Sequence, residues 1–430
     1  VKSACVVTLG CKANQFESAA MEETLRRLGY SLCPFEHGAD LVVVNTCTVT
    51  AASDAQSRKL IRRARRCNPS CRILVTGCYA QLQPRQLVQL PGVECVFGNM
   101  EKARLDTIVT TGGAAVQVGD IAAARHCPPL SINAFAEHSR AFVQIQTGCN
   151  SFCSYCIIPY ARGRSRSVPP QEVVAQVERL VKAGYYEIVL TGIHIGQYGR
   201  DLPEPLSLAR LVTILLQHTA VGRIRLGSVE PQEFDDELLD IIAAQPRLCP
   251  HVHIPLQSGS DSVLRRMNRH YTGGEFIRLV EEIAARRPAC AIGIDVICAF
   301  PGESAAEHSD TVHMLEQLPI SYAHVFPYSR RSGTAAAAMP GQIDGRTARQ
   351  RAAQLRKIAA HKWQTYAFSR IGTCVEVVFA NHPGAAGWRG VSAEYLTVQV
   401  RNGDITGGRC HRVVVDACGD GVVFGHLAKK

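Results

Sequence analysis

The sequence predicts an α/β protein in three parts: a parallel α/β unit, then a partial (β/α)6 barrel, then a small terminal β-barrel. Three observations carry this reading. Apolar runs alternate with helix-period segments over the first hundred or so residues, and six further runs alternate with helices between Ala141 and Pro327. The last sixty residues change to strand-like alternation broken by Gly-rich turns.

In the first part, residues 6–9, 41–44 and 73–76 read as buried strands, with helical spacing at 18–28 and 53–66. This βαβαβ pattern implies a parallel sheet covered on both faces. Cys11 follows the first strand by two residues, Cys47 the second by three and Cys78 the third by two. Parallel strands end on one edge, where ligands bind, so these three thiols are expected to converge. A less regular stretch, 112–140, reads as a connector.

The barrel strands are expected at 142–147, 187–191, 223–227, 251–255, 292–298 and 323–327. Helices are expected at 170–183, 207–218, 235–244, 274–287 and 305–318, which places working residues at the strands' carboxyl ends. An Ala- and Gly-rich run leads into a basic helix over 346–370. Terminal strands are read at 373–379, 395–400 and 411–416, separated by turns at 384–390 and 402–408.

The chain has 430 residues and 18 cysteines. A core of this size needs no disulfides. No signal-peptide pattern or membrane-length apolar run is present, so a reduced cytoplasmic setting without a membrane is expected, where cysteines are read first as metal-binding, redox or catalytic. Net charge is +10. Residues 57–66 hold six basic side chains and no acid, and 328–370 hold nine against Asp344 alone. Solvated helix faces would account for either patch singly; the two together point to a polyanionic partner such as RNA.

Directly after the first barrel strand come Cys149, Cys153 and Cys156, spaced CxxxCxxC. No fourth Cys or His is paired nearby to close a structural zinc site. Three thiolates on a four-iron cluster would leave one iron open to an exogenous ligand.

Cys149-Asn150, Cys153 and Tyr155-Cys156, followed by Ile158-Pro159 and Arg162-Gly163-Arg164-Ser165-Arg166, resemble the radical S-adenosylmethionine (SAM) enzymes, specifically the methylthiotransferases, over nearly the whole chain. Leu9-Gly10-Cys11, Asn45-Thr46-Cys47 and Thr76-Gly77-Cys78 are similar to that family's N-terminal domain, and the last region resembles the RNA-binding TRAM barrel. The resemblance implies four regions: 1–115, a connector 116–135, a radical SAM core 136–370, and a TRAM-like barrel 371–430. It also implies SAM and two [4Fe-4S] clusters, one on Cys149, Cys153 and Cys156 and an auxiliary one on Cys11, Cys47 and Cys78. Glu230, Gln257 and Ser258 become SAM contacts by the same resemblance. So does Gly192, although its segment lacks a Gly-Gly-Glu signature. No catalytic residue beyond the cluster ligands is nominated, because cofactor chemistry leaves the protein the tasks of positioning and excluding water.

Thr48-Val49-Thr50 after Cys47, and Ala51-Ala52-Ser53 where an Arg-Glu pair marks the isopentenyl type, resemble the branch acting on tRNA that carries threonylcarbamoyladenosine. The expected function is addition of a methylthio group to C2 of N6-threonylcarbamoyladenosine at tRNA position 37. The tRNA anticodon stem-loop and an electron donor such as flavodoxin or ferredoxin are the implied partners. Isopentenyladenosine tRNA and a ribosomal-protein aspartate are the alternative substrates, and a zinc-containing RNA-binding scaffold is the non-enzymatic alternative.

Overall fold

The computed structural model describes residues 2–135 and 139–429; the boundary expected at residue 136 and the two terminal residues lie outside the described residues. Six parallel strands form the first sheet, in the order Ser31–Leu32, Ser3–Thr8, Leu41–Thr46, Arg72–Gly77, Val93–Phe97, Val116–Gln117. Strand Leu41–Thr46 is buried along its whole length. Val42 and Val44 pack with Ile61 and Ala64 of helix Ala51–Cys67 on one face, while Leu41 and Val43 pack with Met21 and Leu25 of helix Lys12–Arg27 on the other. The sheet runs on to Gln117, past the expected boundary at 115, because Val116–Gln117 pairs with Val96 and Phe97. Two-residue strands such as Ser31–Leu32 are too short to leave a periodic signal.

Six parallel strands also make the central partial barrel, as two three-stranded sheets. Ala141–Gln144, Glu187–Thr191 and Arg223–Leu226 form one, and His251–Gln257, Ala291–Cys298 and Tyr322–Pro327 the other. Bridges Ile224 to Leu248 and Ser228 to His253 join them. The intervening helices start where local chemistry dictates. Ser207 and Asp235 accept hydrogen bonds from Arg210 and Leu238 backbone N–H groups, and Thr272/Glu275 and Ser304/Glu307 form capping boxes. The single strand expected at 142–147 is two: pairing changes past Gln144, and Gln146–Thr147 pairs antiparallel with Arg166–Ser167.

A partial barrel leaves an open edge strand that must be covered. Helix Lys12–Arg27 packs against Ala141–Gln144, with Phe16, Ala19 and Ala20 in the same core as Phe142 and Val143. The expected connector also contributes to that core, with Ile132 and Phe135 buried in it.

The terminal region is a closed five-stranded barrel, in the order Cys374–Phe379, Trp388–Ser392, Thr397–Val400, Val422–Leu427, Cys410–Gly419. The turn expected at 384–390 runs into strand Trp388–Ser392. A Cβ on Gly390 would lie 2.6 Å from Val377 Cγ1, so this glycine marks close strand packing there rather than a turn. The barrel docks on the central domain through buried Arg223 and Arg225, whose guanidinium groups donate to the carbonyls of Glu376, Val391, Ser392 and Ala393 at 2.9–3.0 Å.

Candidate active site

The sheet order reverses between strands Ser3–Thr8 and Leu41–Thr46, and the carboxyl ends of strands at such a switch point frame a crevice. Cys11 lies three residues past Thr8; Cys47 and Cys78 directly follow Thr46 and Gly77. Asn14 ties the loops together, its Nδ2 donating to the carbonyls of Leu9 at 2.6 Å and Thr46 at 3.2 Å. Thr46 Oγ1 donates to the Thr76 carbonyl at 2.6 Å. Gly10 and Gly77 both have φ of +98°; a Cβ would lie 2.9 Å from Cys47 Cβ at Gly10 and 2.3 Å from the Thr46 oxygen at Gly77. The glycines before Cys11 and Cys78 are thus required, Gly10 by the approach of the Cys47 side chain and Gly77 by that of the Thr46 backbone. Burial raises the Cys47 thiol pKa, a backbone N–H from Val49 opposes the rise, and the neighbouring Cys78 and Cys11 thiols add to it. Cys47 is thus within electrostatic reach of both other thiols.

The second trio occupies a half-buried loop after the first barrel strand. Cys149 Sγ lies 3.3 Å from His194 Nδ1, and His194 Nε2 lies 2.7 Å from Glu233. Burial disfavours a charge on His194, but its contacts with Cys149 and Glu233 prevail and raise its pKa to about 10. Burial likewise opposes ionisation of Cys149, yet contact with His194 and Ser151 brings its pKa below the ordinary thiol value. Arg269 Nη1 donates to Cys153 Sγ at 3.4 Å, partly offsetting the burial that raises that thiol. Cys156 is held up at about 12 by burial and then by Cys153.

The four residues singled out as SAM contacts fall into different settings. Glu230 is clamped by Arg269, the same side chain that reaches Cys153, and so stands beside the second trio. Gln257 ends strand His251–Gln257 in the left-handed region, at φ +65°, and lines a cavity with Cys156. Gly192 is packed so that a Cβ would lie 2.8 Å from the Gln146 carbonyl, while Gln146 Oε1 accepts from the Ile193 and His194 backbone N–H groups and so places His194. Ser258 is fully buried, its Oγ accepting from Ser260 N–H and lying 3.4 Å from Thr311 Oγ1 of helix Ala305–Gln317.

A cavity of ≈ 280 Å³ lies beside Cys156 and the loop after Cys47. Val49 and Thr50, just past Cys47, form one wall, and Tyr155, Cys156, Ile157 and Ile158 another. Gln257, Asp295, Ile297 and Phe326 complete it from the barrel strands. Val49, Phe326, Phe152 and Tyr160 are exposed apolar side chains, each about half accessible, and Val49 and Phe326 also line the cavity.

Residues that sequence spacing did not single out connect these parts. Arg162, six residues after Cys156, is buried and crosses into the first domain, where Nε donates to Cys78 Sγ at 3.3 Å and Nη1 to Glu17 Oε1 at 2.6 Å. Lys102 makes the second cationic contact to Glu17. Arg331 Nη2 donates to Thr48 and Asp54 at 2.7 and 2.6 Å, pinning the loop after Cys47 to the end of the last barrel strand. Lys12, next to Cys11, reaches the barrel lumen, with Nζ 5.8 Å from the Tyr395 ring centroid. Burial and then Arg140 and Arg225 lower its pKa to about 8, opposed by Glu187 and Asp295. Nothing in the sequence pattern marks an Arg, Lys or His as aimed at a site formed by another domain.

A three-cysteine loop at the carboxyl edge of a partial parallel barrel defines a radical SAM protein, and residues 143–315 match the Radical SAM superfamily. Residues 3–98 match the uncharacterized protein family UPF0004. The chain is 40% identical to the threonylcarbamoyladenosine tRNA methylthiotransferase MtaB of Bacillus subtilis, over 86% of this chain and 83% of that protein. It is 39% identical to the protein of the same name from Aquifex aeolicus, over 84% and 88%. It is 37% identical to the tRNA-2-methylthio-N(6)-dimethylallyladenosine synthase of Frankia alni, over 88% and 78%. Among solved structures, the radical SAM methyltransferase TsrM of Kitasatospora setae shares the fold, with a TM-score of 0.56 at 17% identity over 78% of this chain and 77% of that one. The chain belongs to the radical SAM methylthiotransferase family. No helix among the described residues is long and apolar enough to cross a membrane.

Proposed function

We propose that this protein is a cytoplasmic tRNA-modifying enzyme that adds a methylthio group to C2 of N6-threonylcarbamoyladenosine beside the anticodon. The observation that carries the reading is a single cavity walled by the loop after Cys47 and by Cys156. A space reached by Cys156 of one trio and by Val49 and Thr50, just past Cys47 of the other, suits two jobs, activating an unreactive carbon and supplying sulfur to it. Relatives named for threonylcarbamoyladenosine tRNA stand at 39–40% identity, which supports this substrate over the isopentenyl type.

The donor set fits iron–sulfur clusters better than single ions. Three thiolates on one tetrahedral zinc would stand about 3.8 Å apart. Among the described residues only His253, Asp295 and His324 bring three ligand atoms within 4.8 Å, and neither thiol trio does. Cys149, Cys153 and Cys156 would hold one [4Fe-4S] cluster with SAM on its open iron, and Cys11, Cys47 and Cys78 the auxiliary cluster. Held there, the first cluster would supply the electron for SAM cleavage and the second would supply the sulfur for transfer.

The chain's own groups favour thiolate ligands and shape the cavity. His194, Arg269 and Arg162 place cationic donors against Cys149, Cys153 and Cys78, which stabilises the anionic form that a metal ligand requires. Glu230, fixed by Arg269, and Gln257 in the cavity wall are the better placed of the SAM candidates. Exposed Phe152, Tyr160 and Phe326 offer stacking faces to a splayed-out base. Helix Ala51–Cys67 buries Ser57, Ile61 and Ala64 and leaves Lys59, Arg62, Arg63, Arg65 and Arg66 exposed for phosphates. The terminal TRAM-like barrel adds further RNA contact, and a flavodoxin- or ferredoxin-type protein supplies electrons.

Nucleoside mass spectrometry of tRNA from a strain lacking the gene tests the proposal. Loss of the 2-methylthio derivative with retention of threonylcarbamoyladenosine is expected; an unchanged profile overturns it.

A further inference from the structure

Methylthiotransferase chemistry does not explain why a lysine side chain should be placed inside a barrel without a counter-ion. Lys12 opens the helix that covers the barrel's open edge. Its ammonium is within electrostatic reach of Glu187 on one side of the lumen and of Asp295 and His324 on the other. Both carboxylates are already engaged. Glu187 is paired with Arg223 at 2.6 Å, Arg225 at 2.8 Å and Arg140 at 3.3 Å, and Asp295 with His253 at 3.0 Å. Among the described residues no carboxylate lies within 4.0 Å of Lys12 Nζ. Asp295, whose carboxylate interacts with the Lys12 ammonium, lines the cavity beside Cys156 and so connects Lys12 to the space proposed for the modified base.

We propose that Lys12 is the carboxylate-binding residue of the substrate site, receiving the threonyl carboxylate of threonylcarbamoyladenosine and selecting it over the uncharged isopentenyl group. This rests on the substrate reading above and assigns its specificity to one side chain. The arginines are tied to Glu187 and to the carbonyls of the terminal barrel, which leaves the Lys12 ammonium, over the Tyr395 ring, as the cation without a carboxylate partner among the described residues. A charge-assisted pair in a water-poor lumen is strong. The same site disfavours an apolar substituent, because the ammonium would then lose water and gain no partner.

The test uses full-length protein and anticodon stem-loop RNAs carrying threonylcarbamoyladenosine, its threoninamide analogue or unmodified adenosine, with Kd read by fluorescence anisotropy at fixed salt. The wild-type chain should prefer the carboxylate over the amide by about tenfold or more. Lys12→Met should abolish that preference and Lys12→Arg should keep part of it, each with an unaltered Tm. A full preference retained by Lys12→Met overturns this inference and leaves the substrate reading standing. A wild-type chain that binds the threonylcarbamoyl and unmodified stem-loops equally overturns both.

Discussion

The Nε of Arg162 donates to the Sγ of Cys78 at 3.3 Å, although 84 residues and a domain boundary separate them. The same guanidinium holds Glu17, which Lys102 also contacts, so one buried cluster joins the loop of the second trio to the first. Breaking such a cluster from one side leaves a buried charge without its partner. Arg162→Met is therefore expected to cost about 3–5 kcal/mol in urea unfolding, and Arg162→Met combined with Glu17→Met is expected to recover part of it. Additive losses in the double variant would refute the coupling.

The two trios should separate by function. Reconstituted protein is expected to hold about eight irons, and removing one thiol from either trio about four. Cys149→Ala should abolish SAM cleavage, while Cys47→Ala should retain cleavage and lose methylthio transfer. Iron analysis and product assay on the two variants decide the assignment; cleavage surviving in both would reverse it.

Glu17 gives the fold an acid limit. Burial would raise its carboxyl, but Arg162 and Lys102 outweigh burial and hold its pKa at about 2. An unfolded glutamate titrates near 4.3. A pKa depressed on folding stabilises the native state above the unfolded value, and that stability is lost as pH falls. The loss should run from about pH 5 towards 2, read as a falling Tm, and Glu17→Gln should flatten that dependence. An identical acid profile in the variant would show that other carboxylates set the limit.

Basic residues should divide into RNA contacts and structural ties. Arg62→Glu and Arg66→Glu, on the exposed face of helix Ala51–Cys67, are expected to weaken tRNA binding and reduce the salt slope by about one each. Arg351 instead ties to buried Glu303 at 2.9 Å, and Lys362 donates to the Glu316 and Leu318 carbonyls at 2.7 and 2.8 Å. Their replacement should lower Tm with little change in the salt slope. The patch at 328–370 is thus partly consumed by the fold. Filter binding across a salt series separates the classes.

Much of this was legible from one dimension. Period-2 and helical patterns marked most of the long strands and helices, because burial of one face repeats along the chain, but strands Val93–Phe97 and Val422–Leu427 were missed. Strands of two residues, the change of pairing past Gln144, and strand Trp388–Ser392 were not legible, because each is set by a partner strand rather than by its own periodicity. The placement of Cys11, Cys47 and Cys78 at one sheet edge was legible, since a parallel sheet brings its carboxyl ends to one edge whatever the loop lengths.

The sequence by itself determined the fold class, the two trios and the family to which they belong, because spacing along strands is a local property. Only the tertiary structure decided what surrounds the thiols: Arg162 on Cys78, His194 on Cys149, Arg269 between Cys153 and Glu230, and Lys12 in the barrel lumen. Each of these cations reaches a group more than forty residues away or in another domain. Arg162 and Lys12 owe their placement to helix Lys12–Arg27 packing on the barrel's open edge, His194 and Arg269 to loops of the barrel meeting one another, and side-chain spacing along the chain carries no record of which surfaces will meet.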